Sequence, residues 1–378
     1  MRRTILIVPG LLSDPGTESY LRQRLPALSV LSEIGALRKV SELPESETPE
    51  AMLLGLGPSV VSLRQGPLTV SALGFDPPER STHFHLSLMS YHDGDASIPG
   101  VLPRADELEL VMSAAKRLDT KLLTVLKGEE LNHALVWEAL GDMGTTAASQ
   151  LDRHPMIEHL PEGDGEAALR RFIDDSVNLL SSLELNERRL DEGLQPFNLL
   201  WPWGHGSRTA VPNLALRRGE PAVVESASMR LAGLTRLAGY KHADRKKIGL
   251  GLASKLRAIA GRGMDRQLTL VYIDVAAQLR AENKQEELDW FIRELDRELL
   301  QPLLEDHLKT PSRLALISPQ GLVAGEGTVI PGSKVGLALS AETNVRSDNI
   351  YPFDERSLDE KLVSTNDLWT LVEAAVVN

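Results

Sequence analysis

Short apolar runs rich in branched residues alternate along this chain with segments of helical period, and that alternation restricts it to an α/β sheet fold. Five runs have the length and composition of buried strands: 4–8, 197–201, 268–275, 313–317 and 334–340. Helical periodicity predicts helices over 105–118, 166–183 and 284–304. In the last of these, Leu288, Phe291, Ile292, Leu295 and Leu299 share one face, and Asn283 with Glu286 has the spacing of a capping box. Residues 79–92 alternate apolar and polar like a half-exposed strand, and strand-like runs at 121–126 and 134–137 precede a Gly/Asp/Glu-rich loop at 161–166. This middle stretch is expected to form a second, smaller α/β domain inserted into the larger one.

A chain of 378 residues accommodates two or three domains at roughly 150 residues each. A net charge of −12 argues against a general nucleic-acid or anionic-membrane partner. The absence of cysteine excludes disulfides and thiolate chemistry. The opening apolar run ends within a few residues at Pro9-Gly10, too short for a leader's apolar region, and no stretch approaches the roughly 20 apolar residues of a membrane span. A cytoplasmic location is expected.

The most specific stretch is 186–208, NERRLDEGLQPFNLLWPWGHGSR. Asn186, Arg189, Gly193, Asn198, Trp201, Trp203, Gly204 and Gly206 stand in one tight frame that resembles a signature of the cofactor-independent phosphoglycerate mutases of the archaeal type and their bacterial relatives. Residues 5–15, 73–77 (LGFDP), 231–240 and 348–355 (DNIYPFDE) resemble further blocks of that family in the same order. The resemblance implies an alkaline-phosphatase-like three-layer α/β sandwich. It places the phosphatase-like domain at 1–78 and 197–378 and the inserted substrate-capping domain at 79–196.

Active members of the family move a phosphoryl group through a phosphoserine, aided by two divalent metals, manganese or zinc. The resemblance puts the nucleophile at Gln65 and the metal ligands at Pro9, Leu279, Asn283, Pro319 and Gln320. None of these is a serine, histidine or carboxylate. No histidine follows His307, although the family needs several in this half. Asp306-His307 with Thr310-Pro311 resembles one family motif, but it has one residue too many and precedes its strand, so it is assigned to a helix end.

The expectation is therefore a metal-free, catalytically inactive homologue without cofactors, with a binding or regulatory role toward a small phosphorylated or acidic ligand or a protein partner. Arg189 and Asn186 are the candidates surviving from a substrate site, with a salt bridge to the neighbouring domain as the equal alternative for Arg189. An active enzyme, either a residual phosphoglycerate mutase or phosphatase or a metalloenzyme with a relocated site, is the second possibility. His83 and His85 share a strand face at a zinc-ligand spacing, with His92 as a third donor, although exposed polar positions explain them as well. In relatives this strand carries an Arg and an Asn that touch substrate, so their replacement here weakens the case for phosphoglycerate, while His83 and His85 remain ligand-binding candidates. Eight Lys/Arg within 241–266 form either an anion site or a solvated helix face. A structural subunit of a complex is the third possibility.

Overall fold

A computed structural model describes residues 1–12, 25–40, 54, 64–208, 210–218, 221–226, 228–243, 252–318, 323–324, 328–329, 336–343 and 364–365. The chain divides into two compact units. One comprises Met1–Val60, Pro212–Ser228 and Thr235–Asn378; the other comprises Val61–Val211 and Met229–Leu234.

The first unit is built on an eight-stranded sheet. Its order is Lys241–His242, Val223–Ser226, Leu268–Tyr272, Arg2–Ile7, Ser312–Ser318, Gly336–Glu342, Ala36–Val40 and Ser364–Thr365. The first five strands run parallel, and Gly336–Glu342 is antiparallel to both of its neighbours. A central parallel strand is covered on both faces and therefore carries no polar alternation. Ile5, Leu6, Ile7 and Val8 are accordingly all buried. One face packs into a core with Leu28 and Leu31 of helix Pro26–Ile34, Leu256 of helix Leu252–Asp265, and Phe291 and Leu295 of helix Gln285–Leu295. Gly10 turns the chain out of the first strand at φ +73°, where a Cβ would lie 2.6 Å from the Ala277 Cα of helix Val275–Ala281.

The five apolar residues expected on one face of 284–304 are all buried, but the expected capping box does not form. Asn283 adopts φ +55° and lies before the cap, while Lys284 takes the N-cap position without a side-chain bond. The helix widens to a π turn over Asp296–Leu300 before continuing through Gln301–His307. Pro302 has no N–H to give the carbonyl four residues earlier, which accounts for the widening there. Within that turn Asp296 is buried and accepts bonds from the backbone N–H groups of Ala27 (3.2 Å) and Leu28 (2.9 Å). It thus caps helix Pro26–Ile34, whose own N-cap, Leu25, has no polar side chain. Burial raises the Asp296 pKa, opposed by these two bonds.

The second unit carries an antiparallel sheet in which Thr82–His92 pairs with Asn132–Trp137, Asp95–Ser97 and Leu199–Gly206, with Leu123–Glu129 at one edge. The run predicted at 197–201 therefore pairs within this smaller sheet, not in the large domain to which the sequence reading assigned it. Phe84, Leu86 and Leu88 face helices Ala105–Ala115 and Glu166–Ser181. Helix Gln65–Ala72 packs on the opposite face through Val70, against Ala134 and Val136. Thr82–Ser90 is buried throughout, so the half-exposed strand expected at 79–92 is sandwiched instead. Its alternate polar residues lie beneath a helix, not in water.

Replacing Asp296 with alanine should lower the stability of the first unit by about 1–2 kcal/mol through loss of the cap. The urea midpoint reports this, and an unshifted midpoint would remove Asp296 as the cap.

Candidate functional site

The signature residues Asn186 and Arg189 are committed to the protein itself. Asn186 donates to the Leu180 and Phe197 carbonyls (2.8 and 3.0 Å) and accepts from the Phe197 N–H (2.7 Å). Arg189 donates through Nε to the Gln195 carbonyl (2.8 Å) and through Nη1 to Glu107 (3.2 Å), with its guanidinium 3.9 Å from the Phe197 ring centroid. Both are 2% exposed. The Arg189 ion pair is formed with Glu107 of the same unit, not with the neighbouring domain as the alternative reading expected. Asn198 extends this clamp by bonding both backbone groups of Tyr91 (2.7 and 3.0 Å). Trp201 and Trp203 anchor the strand that follows, through Nε1 bonds to the Thr146 carbonyl (2.8 Å) and Ser87 Oγ (2.9 Å).

His83 and His85 are each 1% exposed, contrary to their expected exposure. Ser81 Oγ donates to the Pro78 carbonyl, so it accepts from His83 Nε2–H at 2.9 Å. Thr69 Oγ1 donates to the Gln65 carbonyl, so it accepts from His85 Nδ1–H at 2.8 Å. Burial pushes His83 down to about 4, with Arg208 adding to the effect. Burial likewise pushes His85 down to about 4, against an opposing contribution from Asn132. His133 on the neighbouring strand is pushed down to about 3, chiefly by burial. His92 is not brought to this pair. It sits at the strand end with its side chain 75% exposed and 3.3 Å from Asp93, about 23 Å along the strand from His85.

The chemistry-bearing groups that do converge lie at the N-terminus of helix Gln65–Ala72. Three glycines let that helix approach the sheet. A Cβ at Gly66 would lie 2.2 Å from the His83 carbonyl oxygen, one at Gly204 2.8 Å from Gln65 Cβ, and one at Gly206 3.0 Å from Arg64 Cβ. Gln65 therefore rests against the Trp-Gly-His-Gly strand. Its Oε1 accepts from Arg230 Nη1 at 3.3 Å. Arg64 occupies the N-cap, no side chain caps the helix end, and its first turn holds no acid. His205, in the same strand, bonds Thr145 Oγ1 (3.2 Å) and lies 3.9 Å from Asp142. Burial lowers its pKa and Arg64 reinforces this, with Asp142 opposing. Two arginines at the positive end of a helix repel cations and favour an anion. Sequence reasoning reached Gln65 but missed Arg64, Arg230 and His205. The paired glycines flanking His205 were the available signal.

In the first unit, Pro9 lies in the turn after the first strand, Leu279 packs against the large core, and Asn283 follows its helix in a left-handed conformation. Pro319 and Gln320, like 348–355, lie outside the described residues. Pro9 and Leu279 carry no side-chain donor, whereas Asn283 carries an amide oxygen. Among the described residues no group of three or more His, Asp or Glu could hold a metal. Asp306 pairs with Arg2 (2.6 Å) and His307 with Ser312 (2.8 Å). In the basic stretch, Arg257 and Arg262 pair with Glu298 and Glu225 (3.1 and 2.9 Å), while 245–247 lie outside the described residues.

Two outcomes follow. Arg189→Met alone should destabilise by about 3 kcal/mol, and pairing it with Glu107→Leu should recover most of that loss; a stable single variant that has lost ligand binding would return Arg189 to the site. The depressed histidines bind protons more readily unfolded than folded, so stability should be complete above pH 6.5 and fall as pH drops toward 4. The slope is about 1.4 kcal/mol per pH unit for each histidine. Denaturant titration of wild type against His85→Gln measures it, and equal slopes would contradict the assignment.

No protein-family model matches the chain. The 2,3-bisphosphoglycerate-independent phosphoglycerate mutase of Methanothrix thermoacetophila is 24% identical over 394 residues, covering 99% of this chain and all of that protein. The Methanosarcina mazei enzyme of the same name is 22% identical over 97% of this chain and 98% of its own. Among solved structures, a Pyrococcus horikoshii protein matches with a TM-score of 0.73 at 17% identity, over 100% of this chain and 97% of that one. The cofactor-independent phosphoglycerate mutase of Thermoplasma acidophilum matches at 0.60 and 20% identity, over 99% of this chain and 100% of that one. These relatives overturn one expectation. Substitutions at the family positions pointed to a chain without cofactors, yet its homologues over nearly its whole length carry the name of the metal-dependent mutases, so the expectation of a cofactor-free chain is withdrawn. This chain is similar over nearly its whole length to archaeal 2,3-bisphosphoglycerate-independent phosphoglycerate mutases, and it shares the α/β fold of these solved structures.

Proposed function

We propose that this mutase homologue binds a small phosphorylated or acidic ligand at the N-terminus of helix Gln65–Ala72 and does not pass a phosphoryl group through residue 65. One observation carries the reading: the position that the family resemblance gives to the nucleophile holds Gln65, whose amide oxygen accepts from Arg230 at 3.3 Å. An amide has no ionisable oxygen, and its nitrogen lone pair is delocalised, so it forms no phosphoester equivalent to phosphoserine. Binding chemistry is retained there. Arg64, Arg230 and the uncapped helix end supply the donors and positive potential that phosphate or carboxylate requires. Burial of His83 and His85 weighs against a catalytic site relocated to that pair, since a substrate would first have to displace the helix above them.

Titration calorimetry with inorganic phosphate and with phosphoglycerate tests the proposal. Arg230→Ala should weaken binding about tenfold, roughly 1.4 kcal/mol, and Gln65→Glu should weaken it further by placing a carboxylate against the anion. Intact-mass analysis after incubation with phosphoglycerate and manganese or zinc should show no covalent phosphoprotein. Phosphoglycerate interconversion that disappears on changing Gln65 would overturn the reading.

A further inference from the structure

A cavity of about 770 Å³ lies in the second unit, on the far side of its sheet from helix Gln65–Ala72. One wall is a stripe of helix Glu166–Ser181 that recurs every three or four residues from Ala168 and runs on to Ser182, about 21 Å at the helical rise. The other wall is the turn through Arg117 and Leu123 together with Trp137. Phe172 and Leu123 are buried and form an apolar floor with the partly buried Leu179. Trp137 is held in place from behind. A Cβ at Gly165 would lie 2.3 Å from its ring and one at Gly141 2.9 Å, so only glycine at these positions leaves the indole where it lines the cavity.

The charges are unevenly satisfied. Arg171 is 3.5 Å from Asp175, whereas Arg117 has no ion-pair or hydrogen-bond partner among the described residues. Aspartate 175 is the only acid in the lining and is already matched, which leaves one unmatched cation beside an apolar floor. Ligand pockets of about 300–1,000 Å³ that are mostly apolar with few polar groups suit small amphipathic molecules. An elongated apolar floor with one free guanidinium selects an anionic head on an apolar tail.

We infer that this groove is a second ligand site, for a linear monocarboxylate with an acyl tail, whose carboxylate pairs with Arg117 and whose tail lies on Trp137, Phe172 and Leu179. It is separate from the anion site at residue 65 and does not depend on it. Calorimetry on the full chain with octanoate, and with octan-1-ol as the uncharged control, tests it. Octanoate should bind at least tenfold more tightly than octan-1-ol. Arg117→Ala, at an exposed position, should remove that difference, while Arg230→Ala should leave octanoate binding unchanged. No octanoate binding at millimolar concentration, equal affinity for the alcohol, or loss through Arg230→Ala in place of Arg117→Ala would each overturn the assignment.

Discussion

The second unit depends on one close approach: the backbone of helix Gln65–Ala72 laid directly on the Thr82–His92 strand. Gly66 makes it possible from the helix, and Gly204 from the adjoining strand Leu199–Gly206. Gly233 does the same from above, where a Cβ would lie 1.9 Å from the Leu68 carbonyl oxygen. Contacts this short admit no side chain, so small residues here are a packing requirement. The approach buries His83 and His85, gives Thr69 its histidine partner, and sets Gln65 against the Trp-Gly-His-Gly strand.

The Asn186–Arg189 clamp supports this arrangement from the other end of the same strand. It fixes where the strand begins, because Asn186 bonds both backbone groups of Phe197. A residue pattern that looks like a ligand site is thus a device for strand placement. Arg189 sits 2% exposed with its charge matched by Glu107, and removing either partner leaves an expensive buried charge. The ion pair and the tryptophan anchors hold the strand, and the glycines between Trp203 and Arg208 then leave room for the helix end proposed as the anion site.

Much of the fold was legible in the residues. The branched runs at 4–8, 268–275 and 313–317 became the parallel core because a strand covered on both faces must be apolar throughout. The amphipathic face of 284–304 was read correctly, since the helical period depends only on local geometry. Its start was not, because Asn283 takes up a left-handed turn instead of a cap. The alternating 79–92 segment misled for a comparable reason. Alternation records which residues share a face, but not whether that face meets water or a helix.

What the sequence determined by itself is the family likeness and the α/β alternation, because each is a matter of residue identity at a given position. Tertiary structure alone decided which of the singled-out groups could meet a ligand. Arg189 and Asn186 are consumed by internal bonds, His83 and His85 are sealed beneath a helix, and Arg64, Arg230 and His205 are gathered from three separate stretches of chain. Burial and partnership depend on contacts between residues far apart in sequence, and local pattern carries no record of them.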